Sequence, residues 1–208
     1  MKRVSDSTVR RLSLYLSFLE ELNGSGQPTV SSDVLARLGG TTSAQVRKDL
    51  SFFGSFGKRG LGYSVQELTE SLRDILGLRR EWKVCIVGAG KIGLALARYP
   101  GFSTKGFTVV AAYDADPKKI GTHWDSLTVR DVKELPSDAE AQHFDIGVIA
   151  VPAEAAQSVV DLMVAAGIKA LMNFAPVQIA VPSDVIVRTV NMALEFEGLS
   201  FALAHRTK

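Results

Sequence analysis

The stretch that most constrains the fold is Lys83–Ala97, which reads KVCIVGAGKIGLALA. A short apolar run, typical of a buried strand, leads into the pattern G-x-G-x-x-G and then into an apolar helix. In such a turn Gly88 permits the tight bend, Gly90 lets a pyrophosphate approach the backbone, and Gly93 lets the helix pack on the strand. Free N–H groups at the helix N-terminus would favour the phosphates. The predicted binding turn consists of Gly88, Ala89, Gly90, Lys91, Ile92 and Gly93.

A carboxylate follows this turn at the spacing expected for ribose recognition. The β-rich run Thr108–Tyr113 ends on Asp114, about 20 residues beyond Gly93. An acid there accepts hydrogen bonds from the adenosine ribose and disfavours a 2′-phosphate, which predicts NAD(H) rather than NADP(H). Lys118 and Lys119 follow closely and leave that preference open. The alternative interpretation is a glycine turn in an unrelated α/β domain.

Cysteine usage and hydropathy exclude several classes of protein. The only cysteine among the 208 residues, Cys85, lies in the strand before the glycine turn. A single cysteine excludes an internal disulfide and a multi-cysteine zinc site, and we expect this one to be a core residue. No apolar stretch approaches the ~20 residues that span a bilayer, and the basic N-terminus lacks a signal-type apolar region. We therefore expect a cytoplasmic protein without a metal site or membrane contact.

Charge is divided unevenly along the chain. Residues 1–80 hold 12 Lys and Arg against 8 Asp and Glu, whereas residues 81–208 hold 12 against 14. The basic excess therefore lies outside the dinucleotide motif and indicates a polyanion partner for the N-terminal part.

The N-terminal part has the pattern of a winged helix. Apolar residues at helical spacing predict a first helix over residues 7–22. Ser31 or Ser32 then caps a short helix to Leu38, and after two glycines a third helix runs to about Phe53. Two short helices joined by a glycine turn form a helix-turn-helix. A further amphipathic helix over residues 64–80, capped by Ser64, completes this domain.

The polar face of the third helix predicts contacts with DNA. Its apolar positions Val46, Leu50 and Phe53 should face the core, which leaves side chains suited to bases and phosphates on the other face. Residues 54–63 predict a β-hairpin wing with cations at its tip. The predicted DNA contacts are Ser43, Gln45, Arg47, Lys48, Ser51, Lys58, Arg59 and Gly60. A solvated basic helix face is the alternative interpretation.

Strands and helices alternate after residue 81, which predicts a doubly wound, Rossmann-like parallel sheet. Further strands are predicted at 127–132, 145–151, 169–174 and 185–190, with a helix over 155–166. Because cofactors bind at the carboxyl ends of such strands, Val151, Pro152, Asn173, Phe174 and Pro176 are candidates for the nicotinamide half. We divide the chain into a DNA-binding domain, 1–80, a NAD(H)-binding domain, 81–190, and a C-terminal helical segment, 191–208.

In combination, several motifs resemble the Rex family of bacterial redox-sensing transcriptional repressors. The recognition helix carries Gln45–Ser51 (QVRKDLS), and GSFG and RGLGY follow it. The resemblance continues through the glycine turn, Tyr99–Phe102 (YPGF), Ala165–Ile168 (AAGI), Asn173–Pro176 (NFAP) and Leu199–Phe201 (LSF). It implies a homodimer that binds a palindromic operator with NAD+ and releases it with NADH. It also implies that the final apolar helix is swapped into the other subunit.

The resemblance assigns a switch role to Tyr99, near the nicotinamide, together with Asn191. In some family members an Asp at the position of Asn191 pairs with an Arg on the first helix, and then turns to the tyrosine when NADH enters. Here the first-helix position is Ser17, so both charges are missing and that ion-pair switch cannot operate. A steric hinge or neutral hydrogen bonds of Asn191 are the alternatives.

Two other classes of function remain as rivals. An NAD-dependent oxidoreductase generally needs a proton donor beside the nicotinamide, but His123, His143 and His205 do not follow clear core strands. No Tyr-x-x-x-Lys pair is present either. A CoA-binding α/β module would share the glycine turn but would leave Asp114 and the winged helix unexplained. We therefore expect a sensor of NADH and NAD+ with no catalytic residues.

Overall fold

The computed structural model describes residues 4–58 and 60–205. Arg59, one of the predicted DNA contacts, lies outside the described residues. The chain divides into two compact units, Met1–Arg80 and Glu81–Lys208.

The first unit is a small helical domain with one pair of short strands. Its elements are α1 (Asp6–Gly24), β1 (Thr29–Val30), α2 (Ser32–Leu38), α3 (Ser43–Ser51), β2 (Tyr63–Ser64) and α4 (Val65–Ile75). Each of the four helices begins after a hydroxyl side chain that accepts a backbone N–H three residues on, which is the usual N-cap contact. These caps are Ser5, Ser31, Thr42 and Ser64. The first three predicted helices are therefore confirmed within about one turn at each end, whereas the fourth ends at Ile75, five residues before its predicted end.

The core of this unit joins all four helices. Each helix contributes buried leucine or valine side chains to one apolar cluster. They are Leu12, Leu16 and Leu19 of α1, Leu35 of α2, Val46 and Leu50 of α3, and Leu68 and Leu72 of α4. Val46 and Leu50 are buried and Phe53 is half-buried against the same cluster, so the predicted inner face of α3 is confirmed.

The predicted wing is shorter than a regular hairpin. Its only described strand contact is a bridge between Lys58 and Gly62, closed by the Lys58 N–H on the Gly62 carbonyl at 3.0 Å. Gly57 and Gly62 have φ of +79° and +80°, and a Cβ on either would overlap backbone atoms. Such residues make tight turns rather than strands. Beyond the turn, β2 pairs antiparallel with β1, and neither of these two-residue strands was predicted from the sequence.

The second unit is a seven-stranded sheet with helices on both faces. Its strands are β3 (Trp82–Val87), β4 (Phe107–Asp114), β5 (His123–Trp124), β6 (Leu127–Asp131), β7 (Ile146–Ile149), β8 (Ala170–Asn173) and β9 (Ile186–Thr189). The strand order is β5-β6-β4-β3-β7-β8-β9, and every pair except β5–β6 is parallel. Without the edge strand β5 this is the doubly wound order 3-2-1-4-5-6. The predicted fold class is confirmed, and β5 is an addition that its two-residue length hid from sequence analysis.

Alternating residues of the central strand β3 serve the two faces of the sheet. Cys85 and Val87 pack with Val160 and Met163 of a long helix, whereas Val84 and Ile86 face the other side of the sheet. The helices are α5 (Lys91–Ala97), α6 (Pro100–Ser103), α7 (Leu135–Gln142), α8 (Ala153–Ala165) and α9 (Met192–Ala204), with a 3-10 turn at Val132–Glu134. The thiol of Cys85 is fully buried, as predicted, and burial raises its pKa to about 12.

The last helix, α9, buries none of its side chains on the chain itself. Its large apolar residues are between 59 and 68 % exposed. They are Met192, Leu194, Phe196, Leu199, Phe201 and Leu203. A monomeric protein rarely exposes so many large apolar side chains on one element. Among the described residues no helix has the length and apolar character needed to span a bilayer.

Candidate functional site

The glycine turn between β3 and α5 can be built only from glycine at two positions. Gly88 has φ of +113°, and a Cβ there would overlap the carbonyl of Ala150 at the end of β7. A Cβ on Gly93 would overlap the carbonyl of Gly88 itself. The backbone N–H of Gly88 donates to the Tyr113 carbonyl at 2.8 Å, which ties the turn to β4. The turn is therefore tied to both neighbouring strands.

Asp114 at the end of β4 completes this arrangement. Its Oδ2 accepts the backbone N–H of Ala89 at 2.6 Å and the Lys119 ammonium at 3.0 Å, and its Oδ1 accepts the N–H of Asp116 at 2.9 Å. Burial alone would raise the pKa of this carboxyl, but the three hydrogen bonds outweigh burial and hold the pKa below its usual range. Asp114 is therefore a carboxylate that both braces the glycine turn and faces the space beside it.

A cavity of about 860 Å³ lies at the carboxyl ends of the strands, beside the glycine turn. This is the edge at which open α/β sheets bind ligands, at the point where the strand order reverses. The predicted site residues that line it are Gly88, Gly90, Lys91, Ile92, Asp114, Val151, Pro152, Phe174 and Pro176. A Cβ on Gly90 would meet no protein atom within 4 Å, so only glycine leaves that part of the lining free for a close-approaching group.

Three predicted cofactor residues support the cavity without lining it. Ala89 donates its backbone N–H to Asp114, and Gly93 packs under the turn. Asn173 is fully buried: its Oδ1 accepts the Ala175 N–H and its amide donates to the Val177 carbonyl, both at 2.9 Å. Asn173, a candidate for the nicotinamide half, is therefore not among the residues that line this cavity. The amide instead holds the loop that carries Phe174 and Pro176.

Several residues that line the cavity were not among the predicted cofactor contacts. Val132, Ala150, Ala155 and Val159 contribute apolar surface, and Lys119 brings a charge. The apolar four belong to elements whose hydrophobic pattern gives no sign of which residues face a cavity. None of the three histidines, all of them described, lines it.

The first unit presents a polar surface around α3. Arg47 and Lys48 are exposed, and Arg47 donates to the Ser32 hydroxyl at 2.9 Å. Ser43 starts the helix, and the Ser51 hydroxyl donates to the Lys48 carbonyl at 2.8 Å. A hollow of about 500 Å³ brings Arg47 together with two predicted wing residues, Lys58 and Gly60. Three of the predicted DNA contacts thus share one concave surface.

A buried ion pair anchors α3 to α1, and sequence analysis did not anticipate it. The guanidinium of Arg11 donates to both oxygens of Asp49 at 2.6 and 2.7 Å, while the Asp49 side chain is fully buried. The Tyr15 hydroxyl donates to the same carboxylate at 3.1 Å, and the Gln45 amide donates to it at 2.8 Å. Burial favours a raised pKa for Asp49, but these donors, Arg11 foremost, lower it.

Burial and the Asp49 charge raise the pKa of Tyr15 to about 12, so its hydroxyl remains a donor. Gln45, predicted as a DNA contact, therefore has one of its amide protons engaged within the domain. No local sequence signal connects Arg11 with Asp49, because the two residues are far apart in the chain.

Comparison with known proteins decides the family. One family model, described as a putative DNA-binding protein N-terminus, matches residues 3–51, and another, described as a CoA binding domain, matches residues 79–177. A redox-sensing transcriptional repressor Rex of Syntrophomonas wolfei is 46% identical over 97% of this chain and 96% of its own length. A Rex protein of Thermus thermophilus is 45% identical over 97% of this chain and 94% of its own length. The chain belongs to the Rex family.

Solved structures of a Rex-family repressor, RSP, have the same fold. The crystal structure of RSP with β-NAD+ and operator DNA is 37% identical, with a TM-score of 0.92 over 98% of this chain and 94% of that one. The structure of RSP with β-NADH is 35% identical, with a TM-score of 0.89 over 98% and 95% of the two chains. The relatives named above are transcriptional repressors, whereas the family model described as a CoA binding domain matches only residues 79–177 of this chain.

Two residues assigned to the Rex switch have their own local contacts. Tyr99 is 57 % exposed, packs edge-on against Phe102 with ring centroids 5.1 Å apart, and lines a groove separate from the cavity beside the glycine turn. Asn191 caps α9, and its Oδ1 accepts the Ala193 N–H at 3.0 Å. A capping asparagine is neutral and stabilises the helix start at any pH near neutrality. Ser17 is half-buried on α1 and carries no charge.

Proposed function

We propose that this protein is a homodimeric repressor that binds a palindromic operator and releases it when NADH occupies the second unit. One observation carries the proposal: a single Rex-family chain combines a cavity beside a G-x-G-x-x-G turn and Asp114 with a basic helix-turn-helix anchored by a buried ion pair. RSP was crystallised with β-NAD+ and operator DNA and with β-NADH, which supports both ligands for this chain. Because NADH and chromosomal DNA meet in the bacterial cytoplasm, we place the protein there.

The cavity discriminates between the two redox states by the chemistry of its two ends. Asp114 receives the adenosine ribose, and the glycine turn receives the pyrophosphate. The residues that follow β7 and β8, namely Val151, Pro152, Phe174 and Pro176, are apolar. The nicotinamide ring is cationic in NAD+ and neutral in NADH. Taking the cation out of water into an apolar end without a carboxylate is costly, so NADH binds more tightly.

The DNA surface consists of the exposed face of α3 and the glycine turn after it. Arg47 and Lys48 contact bases or phosphates, and Lys58, Arg59 and Gly60 meet the backbone or the minor groove. In a two-fold dimer the two recognition helices enter successive major grooves about 34–36 Å apart. The exposed apolar face of α9 supplies the dimer contact, and the swapped arrangement predicted from the family would cover it.

The switch in this chain works without an ion pair. Tyr99 is exposed, lines a groove outside the cavity and packs edge-on against Phe102, so its contacts can change when NADH binding closes the dimer. Asn191 caps the start of α9, so a change in the hydrogen bond of this cap would alter the helix that supplies the proposed dimer contact. NADH can shift the equilibrium between the DNA-binding form and the released form of the dimer only by the ratio of its affinities for these two forms.

The proposal is tested by titrating NADH into the full-length protein bound to a palindromic operator duplex, with NAD+ held constant. We expect release at a low ratio of NADH to NAD+. Lys48→Ala should weaken operator binding, whereas Lys133→Ala, which removes an exposed lysine from the second unit, should not. Tight operator binding that ignores NADH would contradict the switch, and consumption of NADH without DNA binding would support an oxidoreductase instead.

A further inference from the structure

Two adjacent lysines follow the ribose-binding acid, and the structure separates them. Lys119 lines the cavity, and its Nζ lies 3.0 Å from Asp114 Oδ2. Lys118 is exposed and outside the lining, and its backbone N–H donates to Asp116 Oδ1 at 3.0 Å. The ammonium of Lys119 therefore lies beside Asp114 at the cavity, whereas the ammonium of Lys118 lies in solvent.

The Asp114 carboxylate is nearly saturated by protein donors. A carboxylate offers about four lone-pair sites. Three are taken by the N–H groups of Ala89 and Asp116 and by the ammonium of Lys119. Two ribose hydroxyls cannot both bind Asp114 unless Lys119 withdraws. The ammonium is the only one of these three donors that sits on a flexible side chain.

The charge of Lys119 also counters the usual reason for rejecting a 2′-phosphate. An acid at this position repels the phosphate, whereas a nearby cation accommodates it. Lys119 is paired with Asp114 and keeps two further N–H donors, since an ammonium has three. Asp116, which also lines the cavity, adds one negative charge and limits the effect.

We infer that Lys119 is a specificity-determining residue that gives this pocket a residual affinity for 2′-phosphorylated dinucleotides such as NADPH. The inference rests on the proposed function, because it concerns the same dinucleotide cavity. In this arrangement Lys119 turns from Asp114 to the 2′-phosphate when NADPH binds. The pocket still binds NADH more tightly than NADPH, but the ratio of the two affinities is smaller than it would be with Asp114 alone.

The test is direct binding of NADH and NADPH to the full-length protein at low ionic strength. Trp124 packs with Ala89 and Leu94 beside the glycine turn, and both cofactors carry the same reduced nicotinamide. Quenching of tryptophan emission by energy transfer therefore reports either ligand. The variants are Lys119→Met, Lys119→Arg and, as the matched control, Lys118→Met.

Loss of a charge-assisted hydrogen bond should lower the NADPH affinity of Lys119→Met about tenfold or more. NADH affinity should change by much less or rise, because Asp114 then serves the ribose alone. Lys119→Arg should retain NADPH binding, and Lys118→Met should leave the ratio of the two affinities unchanged.

Three results would overturn the inference while leaving the proposed function intact. They are a wild type that binds NADH but no NADPH at millimolar concentration, an equal loss of both ligands in Lys119→Met, and an equal effect of Lys118→Met. A wild type that binds neither ligand would instead overturn the proposed function, and the inference with it.

Discussion

Replacing Arg11 by Met tests the anchor between α1 and the recognition helix. The substitution keeps most of the side-chain volume but leaves the fully buried Asp49 carboxylate with only the neutral donors Tyr15 and Gln45. Removing one partner of a buried pair generally costs about 3–5 kcal/mol, because the remaining charge is uncompensated. The Arg11 side chain is 24 % exposed, so water can reach part of the site. We therefore expect a loss of about 2–3 kcal/mol in the free energy of unfolding of this domain.

Urea unfolding of the full-length protein measures this loss. Far-UV circular dichroism follows the helices of both units, whereas both tryptophans, Trp82 and Trp124, lie in the second unit. The tryptophan transition should therefore stay in place while the helical transition of the first unit moves to lower urea. Arg10→Met is the matched control, because Arg10 is an exposed arginine on the same helix. A control variant that loses as much stability as Arg11→Met would refute the anchor.

The effect of pH follows from the pKa of Asp49. Its folded pKa is lowered, so the ion pair contributes stability above the ordinary carboxyl pKa of about 3.9 and loses it as the pH falls through the folded value. In Arg11→Met the carboxyl lacks its cation, and its pKa should rise. The stability difference between wild type and variant should therefore be largest near neutral pH and shrink toward pH ~4. A difference that stays constant across this range would show that Asp49 is not the group responsible.

Three further substitutions probe the other parts of the account. Asp114→Ala removes the ribose acceptor and the brace on Ala89, and should weaken NADH binding about tenfold in the tryptophan quenching assay; an unchanged affinity would exclude Asp114 from the ribose site. Gly93→Ala places a Cβ against the Gly88 carbonyl and should abolish NADH binding while operator binding without NADH persists; calorimetry that still shows NADH binding would mean that α5 can move aside. Phe201→Glu puts a charge on the exposed apolar face of α9, so sedimentation velocity should show monomers, and operator binding should weaken. A dimer that survives the substitution would place the interface elsewhere.

Local signals in the sequence were sufficient for most of the fold. The caps at Ser5, Ser31, Thr42 and Ser64 are set by contacts within three residues, and the glycine turn requires conformations or close approaches that only glycine permits. The continuous apolar run of β3 likewise follows from burial on both faces of the sheet. These features depend on neighbours in the chain, so a single sequence contains them.

What the sequence did not predict depends on partners far away in the chain. Asn173 follows a strand in the way that a ligand-binding residue would, but its amide turns inward to hold a loop. Arg11 reads as one more cation on a polar helix face until the fold brings it to Asp49. Lys118 and Lys119 are equivalent in the sequence, and only the path of the chain after β4 brings one of them to Asp114. Each of these distinctions needs the tertiary structure.

The central claim is that NADH and operator are coupled through one dimer, and a thermodynamic cycle tests it most directly. NADH affinity is measured by tryptophan quenching for the free protein and for the protein saturated with operator, and operator affinity is measured with and without saturating NADH. Because coupling is reciprocal, we predict that operator weakens NADH binding by the same factor by which NADH weakens operator binding. Equal NADH affinities in the presence and absence of operator would contradict the account.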